Sequence, residues 1–164
     1  MTIDFGFSYI GFSIVLLLLI PNIIWSKYPP QDYVFYVKEE KISLRIVERL
    51  GEVVIICLLL ISQNFNIQDI SIKIILLVLA YVFMACYEIC WIRYFKSKRT
   101  MIDFYRSFLG IPIPLAILPI CAFIMFGLYG NHIYFLVATI CFSIGHIGIH
   151  TRHKQQIKYK ENRK

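Results

Sequence analysis

Charge is scarce in this chain. Asp, Glu, Lys and Arg make up 16% of its 164 residues, against about 25% in an ordinary soluble domain. With 59% hydrophobic residues and a mean hydropathy of +0.67, the deficit excludes a soluble globular class and selects a membrane one. Other absences narrow the chemistry. There is no Gly-x-Gly-x-x-Gly, no Walker loop and no Gly-x-Ser-x-Gly, so nucleotide-driven chemistry and a serine-hydrolase elbow are excluded. No Cys-x-x-Cys occurs, and the five cysteines (Cys57, Cys86, Cys90, Cys121, Cys141) all lie inside apolar runs. They read as reduced, inert packing residues. No basic-aromatic constellation suggests nucleic acid. No Lys or Arg precedes the first apolar run. A secretory signal needs a basic start, so the first segment is expected to be a retained helix.

What is present is a series of long apolar runs, roughly residues 5–25, 42–62, 70–94, 104–129 and 133–149. At about 1.5 Å rise per residue each crosses, or nearly crosses, a ~30 Å hydrocarbon core. The chain therefore reads as all-α: an integral membrane bundle of five transmembrane helices over residues 1–151. A basic cytoplasmic tail, 152–164, follows, with its last turns frayed.

Basic residues set the orientation. Lys27, Lys38 and Lys41 lie between segments one and two. Arg93, Lys96, Lys98, Arg99 and Arg106 lie between three and four, and six more cations follow segment five. The other two links carry only Lys73. The positive-inside rule then puts the N-terminus outside and the C-terminus in the cytoplasm of a multi-pass cell-membrane protein. The expected partners are the bilayer and anionic lipids at the cytoplasmic face. No nucleic acid is expected, and homo-oligomers remain open.

Glu88 interrupts the apolar run from Ile74 to Ile92. An ionisable side chain at that depth is costly and marks a functional site by default. On the drawn topology it lies roughly 7–8 Å from the inner interface, level with Asn22, Glu52, His146 and His150. Thr139, Ser143, His146 and His150 follow i, i+4, i+7, i+11 spacing, a polar stripe on one helix face. Arg45, Glu48, Arg49 and Glu52 form a second stripe, with Arg45–Glu48 and Arg49–Glu52 expected to pair within the helix. That stripe either snorkels to headgroups or faces the bundle interior. Pro112 and Pro114 cannot both sit in regular helix, so a break is expected there, and a lesser one at Pro21-Asn22.

Together these residues predict a polar pocket in the cytoplasmic half. It would bind a lipid-like or amphipathic small molecule through Asn22, Arg49, Glu52, Tyr87, Trp91, Arg106, Ser143 and His150. Glu88 and His146 form an acid–base pair there in principle. Whether the protein is an enzyme stays open. No cofactor is required, but His146 and His150 at i, i+4, with Glu88 as third ligand, have the spacing for a single divalent metal. A small oligomeric transporter and an accessory or immunity-type membrane protein are the remaining alternatives.

The five helices, the outside N-terminus, the basic tail and the stretch from Trp25 through Pro29-Pro30 to Phe35 together resemble the translocator-protein (tryptophan-rich sensory protein) architecture. The resemblance covers helix count and one loop. It assigns no functional residue, and this chain has two tryptophans.

Overall fold

The computed structural model describes residues 4–37, 40–68 and 71–162. Lys38, Arg163 and Lys164 of the basic flanks, and the expected start of segment three at residue 70, lie outside them. Among the described residues the chain is all-helical. The long helices are α1 (Tyr9–Lys27), α3 (Ile42–Ile61), α4 (Ile74–Phe95), α6 (Pro114–Tyr129) and α7 (Ile133–Glu161). Two single turns, α2 (Val34–Val37) and α5 (Met101–Phe104), lie in the connections. By length and composition α1, α4 and α7 can each cross a membrane. α6 is apolar but shorter, and α3 carries the charged stripe.

The helices run alternately up and down. At one end, Gly6 N–H donates to Ile61 O (2.8 Å), Tyr129 Oη to Asn66 O (3.4 Å), and Ser62 Oγ meets His132 Nε2 (3.1 Å). Phe65, fully buried, stacks between Phe126 (centroids 4.4 Å apart) and His132 (5.3 Å). This aromatic plug seals that end. At the other end, Tyr94 Oη donates to Tyr28 O (3.0 Å), and Met101 N–H donates to Asp32 Oδ1 (2.8 Å). Lys27, Arg93, Arg106 and Arg152 lie towards this second end; Lys73 is the one Lys or Arg at the plugged end among the described residues.

α4 packs chiefly on α6, and α3 on α7, with α6 against α7 and α1 bridging α3 and α4. Small residues at helix crossings let backbones approach closely. A Cβ on Gly51 would stand 2.8 Å from Phe142 Cα, and one on Gly145 would stand 2.6 Å from Glu48 N. These two glycines let the α3 and α7 backbones nearly touch.

Three expectations change. The fourth segment is not helical from 104. α5 is a single turn started by a Thr100–Asp103 capping box, and α6 begins only at Pro114, at its first turn, where a missing N–H costs nothing. Between them Phe108 and Ile111 close a two-residue hairpin. Its central residues, Leu109 and Gly110, have φ of 48° and 80°, a conformation glycine takes freely and leucine does not. The expected break at Pro21-Asn22 is absent: α1 continues through Pro21 to Lys27. The tail is not frayed from 155. α7 runs to Glu161 with His153 and Ile157 buried, and Lys154 Nζ donates to Tyr105 O (2.7 Å).

Candidate functional site

A cavity of about 310 Å³ opens towards the basic end of the bundle. One wall is polar and comes from α3, its preceding loop and α7: Glu40, Arg45, Glu48, Arg49, Glu52, His146, His150 and His153. The facing wall is mostly aromatic and aliphatic: Leu18 and Trp25 from α1, Tyr87 and Trp91 from α4, Phe104 from α5, Leu115 and Pro119 from α6. The proline-bearing stretch thus supplies greasy wall rather than polar backbone.

The helix registers explain which side chains arrive. α3 buries Gly51, Ile55 and Leu59; Glu48, three residues before Gly51, continues that stripe inward. α7 buries Phe142, Gly145, Ile149 and His153, which aims the flanking His146 and His150 at α3 and the cavity. The charged stripe of α3 therefore divides: Glu48 and Glu52 turn to the bundle, while Arg45 and Arg49 reach outward, their side chains 47% and 71% exposed.

Its pairings differ from those expected within the helix. Arg49–Glu52 forms, at 2.9 Å. Arg45 turns away from Glu48 to Glu40, donating from Nη2 to Oε2 at 2.8 Å. Glu48 is left to His146, with Oε1 and Nδ1 2.6 Å apart. The Glu40 side chain is only 7% exposed, so it needs its partners. Its other oxygen stands 3.2 Å from His153 Nε2. Tyr105 Oη lies 3.0 Å from both His150 Nδ1 and His153 Nδ1. Asn22 Nδ2 donates to Leu18 O (2.7 Å) and to Tyr87 Oη (3.0 Å). Burial, and then the Glu40 carboxylate beside it, push the Tyr33 phenol up to about 12. Trp25 Nε1 is buried without a hydrogen-bond partner among the described residues, a donor that an acceptor in the cavity would satisfy.

Asn22, Arg49, Glu52, Tyr87, Trp91, His146 and His150 all line the cavity. Glu88 does not. α4 buries Leu77, Ala80, Met84, Tyr87, Trp91 and Tyr94, a single stripe at helical spacing, and Glu88 sits about 100° round from Tyr87. Its Oε1 is buried without a hydrogen-bond partner among the described residues, away from the histidines. Glu88 joins neither the cavity lining nor the Glu48–His146–His150 group, so the structure does not bring it to the acid–base and metal-ligand positions expected of it. Arg106 is exposed and offers its carbonyl to Arg93; Ser143 Oγ donates to Ile140 O in its own helix (2.7 Å). Neither lines the cavity.

Glu48 takes the position expected of Glu88. One ligand atom from each of Glu48, His146 and His150 lies within 4.8 Å of the others. The five cysteines are free, with Cys57 and Cys141 exposed on the bundle surface. Glu40, His153, Tyr33 and Tyr105 are additions to the expected site. His153 continues the α7 stripe and could have been read from spacing; the other three sit in or beside connections, where no periodicity speaks. Comparison with known proteins gives no matching family model, no matching curated protein and no matching solved structure.

Proposed function

We propose that this is a multi-pass membrane protein whose cavity holds an amphipathic, lipid-like small molecule. The polar head lies on the Glu/His/Arg wall and the apolar body against Trp25, Trp91, Phe104 and Leu115. The observation that carries the reading is the division of one cavity of about 310 Å³ into two chemically opposite walls. Its size is at the lower end of small-molecule sites, roughly 300–1,000 Å³. Five crossings, with the N-terminus outside and the cavity in the cytoplasmic half, follow from the up-and-down helix order and the clustering of cations at one end. The same cations favour anionic lipids at that face. A transport path through a single chain would have to pass the Phe65–His132 plug, which favours binding over conduction.

Native mass spectrometry of protein extracted gently from membranes tests the reading. A co-purified amphiphile is expected, and Val37→Trp, which puts bulk into a partly exposed position of the cavity lining, should displace it. Wild-type protein carrying no amphiphile, or a variant carrying as much as wild type, would overturn it.

A further inference from the structure

The hydrogen bonds around the cavity's histidines constrain where their protons are. Tyr105 has one hydroxyl proton but meets two imidazole nitrogens, His150 Nδ1 and His153 Nδ1, each at 3.0 Å. It can donate to only one of them, so the other must donate to it. At the far side of His153, Nε2 stands 3.2 Å from the Glu40 carboxylate, close to it but without a hydrogen bond of regular geometry. That carboxylate is held by Arg45 and can only accept. Its negative charge favours the proton of a neutral His153 on Nε2 rather than Nδ1. A neutral His153 then has a bare Nδ1, which accepts from Tyr105. The Tyr105 oxygen in turn accepts Nδ1–H from His150, and the His150 Nε2 lone pair is left over.

His146 is held independently. Its Nδ1 is 2.6 Å from Glu48 Oε1, so Nδ1–H donates to the carboxylate and Nε2 lies on the far side of the ring from it. The two rings sit at i, i+4 on α7 with centroids 4.4 Å apart. The lining thus contains two imidazoles, each held at Nδ1 by an oxygen and each with no hydrogen bond at Nε2 among the described residues. The Glu48 carboxylate that holds His146 is itself paired with no arginine among the described residues. An oxygen holding the outer nitrogen of each ligating histidine is the arrangement of metal-binding imidazoles.

We propose that Glu48, His146 and His150 bind a single divalent ion of the zinc class, with the fourth position open to the cavity. The Tyr105–His153–Glu40 chain is its positioning shell, holding His150 in the ligating tautomer. The three ligand atoms, now within 4.8 Å of one another, would close to about 3.3 Å, the separation set by metal–ligand bonds of 2.0–2.1 Å in a tetrahedron. Closing them requires Glu48 to exchange its hydrogen bond to His146 Nδ1 for the metal, or the His146 ring to flip so that Nδ1 ligates in place of Nε2. This deepens the pocket reading: the ion would meet the polar head of the occupant, through an oxygen or nitrogen in its open position.

The test uses full-length protein in detergent or nanodiscs, purified without a histidine tag, stripped with chelator and titrated with cobalt(II) alone. One cobalt per chain is expected, with the strong visible absorption of four-coordinate geometry. His146→Ala and His150→Ala should abolish that absorption. Tyr105→Phe should keep the stoichiometry and weaken affinity roughly 10- to 100-fold, the usual effect of removing an outer partner of a ligating histidine. Cys86→Ala with Cys90→Ala should change nothing. Substoichiometric cobalt in wild-type protein, or absorption that survives both histidine changes, overturns the proposal, and the wild-type arm decides even where a variant fails to fold. Cobalt bound with no amphiphile ever found keeps the metal site and removes the pocket reading. An amphiphile bound by wild type that takes up no cobalt does the reverse.

Discussion

Glu48 and His146 meet across the α3–α7 crossing, Oε1 to Nδ1 at 2.6 Å, because Gly145 puts no side chain between them. A Cβ at position 145 would lie 2.6 Å from Glu48 N and 2.7 Å from Leu44 O. Both obstacles are backbone and cannot rotate away. The closest contact between the two polar stripes is thus set by a residue that carries no polar atom of its own beyond the main chain.

Gly145→Val should force the two helices apart. Overpacking of this kind costs about 1–3 kcal/mol and should show as a lower thermal midpoint in detergent, with weaker cobalt binding because Glu48 retreats from His146. Gly148→Ala is the control. Its Cβ would meet only the flexible end of Leu44, at 3.2 Å, and alanine favours helix over glycine by roughly 0.5–1 kcal/mol. A midpoint equal to or above wild type is expected.

The plugged end should be separable from the cavity. Phe65→Ala removes a fully buried ring packed on Phe126, His132 and Phe135. A loss of about 3–5 kcal/mol in unfolding free energy is expected. Cobalt stoichiometry measured well below the lowered midpoint should be unchanged.

Glu48 and Glu88 should part company. Glu48→Gln removes the negative charge of the acceptor behind His146 and of one proposed ligand, and should weaken cobalt binding by at least tenfold. Glu88→Gln, one position round α4 from the cavity-lining Tyr87, should match wild type in both cobalt and amphiphile binding. Equal losses in the two variants would contradict the separation of Glu88 from the site.

Topology is open to direct labelling. A reporter fused after residue 164 should be active in the cytoplasm. A cysteine placed at Gln68, exposed in the loop beyond the plug, should react with a membrane-impermeant thiol reagent applied to intact cells. The reverse pattern would put the cavity on the outer side.

Much of the scaffold was legible because hydropathy writes a simple code. Long apolar runs mark α1, α4 and α7, and the helix ends at 42, 61, 129 and 133 fall within a residue of the expected ones. What failed did so for identifiable reasons. The stretch 104–113 is apolar enough to resemble helix, but Pro112, Pro114 and the positive φ at Leu109 and Gly110 keep it out of one. The basic tail stays helical because Lys154, His153 and Ile157 find tertiary partners, which composition cannot show. The site was half legible. Periodicity brings His146, His150, Glu52 and Tyr87 inward, but hydropathy singles out Glu88 for being conspicuous in sequence. Glu48 is masked by charged neighbours on its own helix, and its importance emerges only where α3 crosses α7.

The late start of α6 has a consequence for the surrounding lipid. At 16 residues it is about 24 Å long, short of a hydrocarbon layer about 30 Å thick. α4, with 22 residues, is not short. In the proposed membrane setting, a bilayer would thin on the α6 side, drawing headgroups down towards the hairpin at Leu109-Gly110. Such a mismatch costs fractions of a kcal/mol per ångström and sorts proteins towards thinner membranes. On the proposed topology, the length of one truncated helix would weigh as much as the charges at the rim in choosing the surrounding lipid.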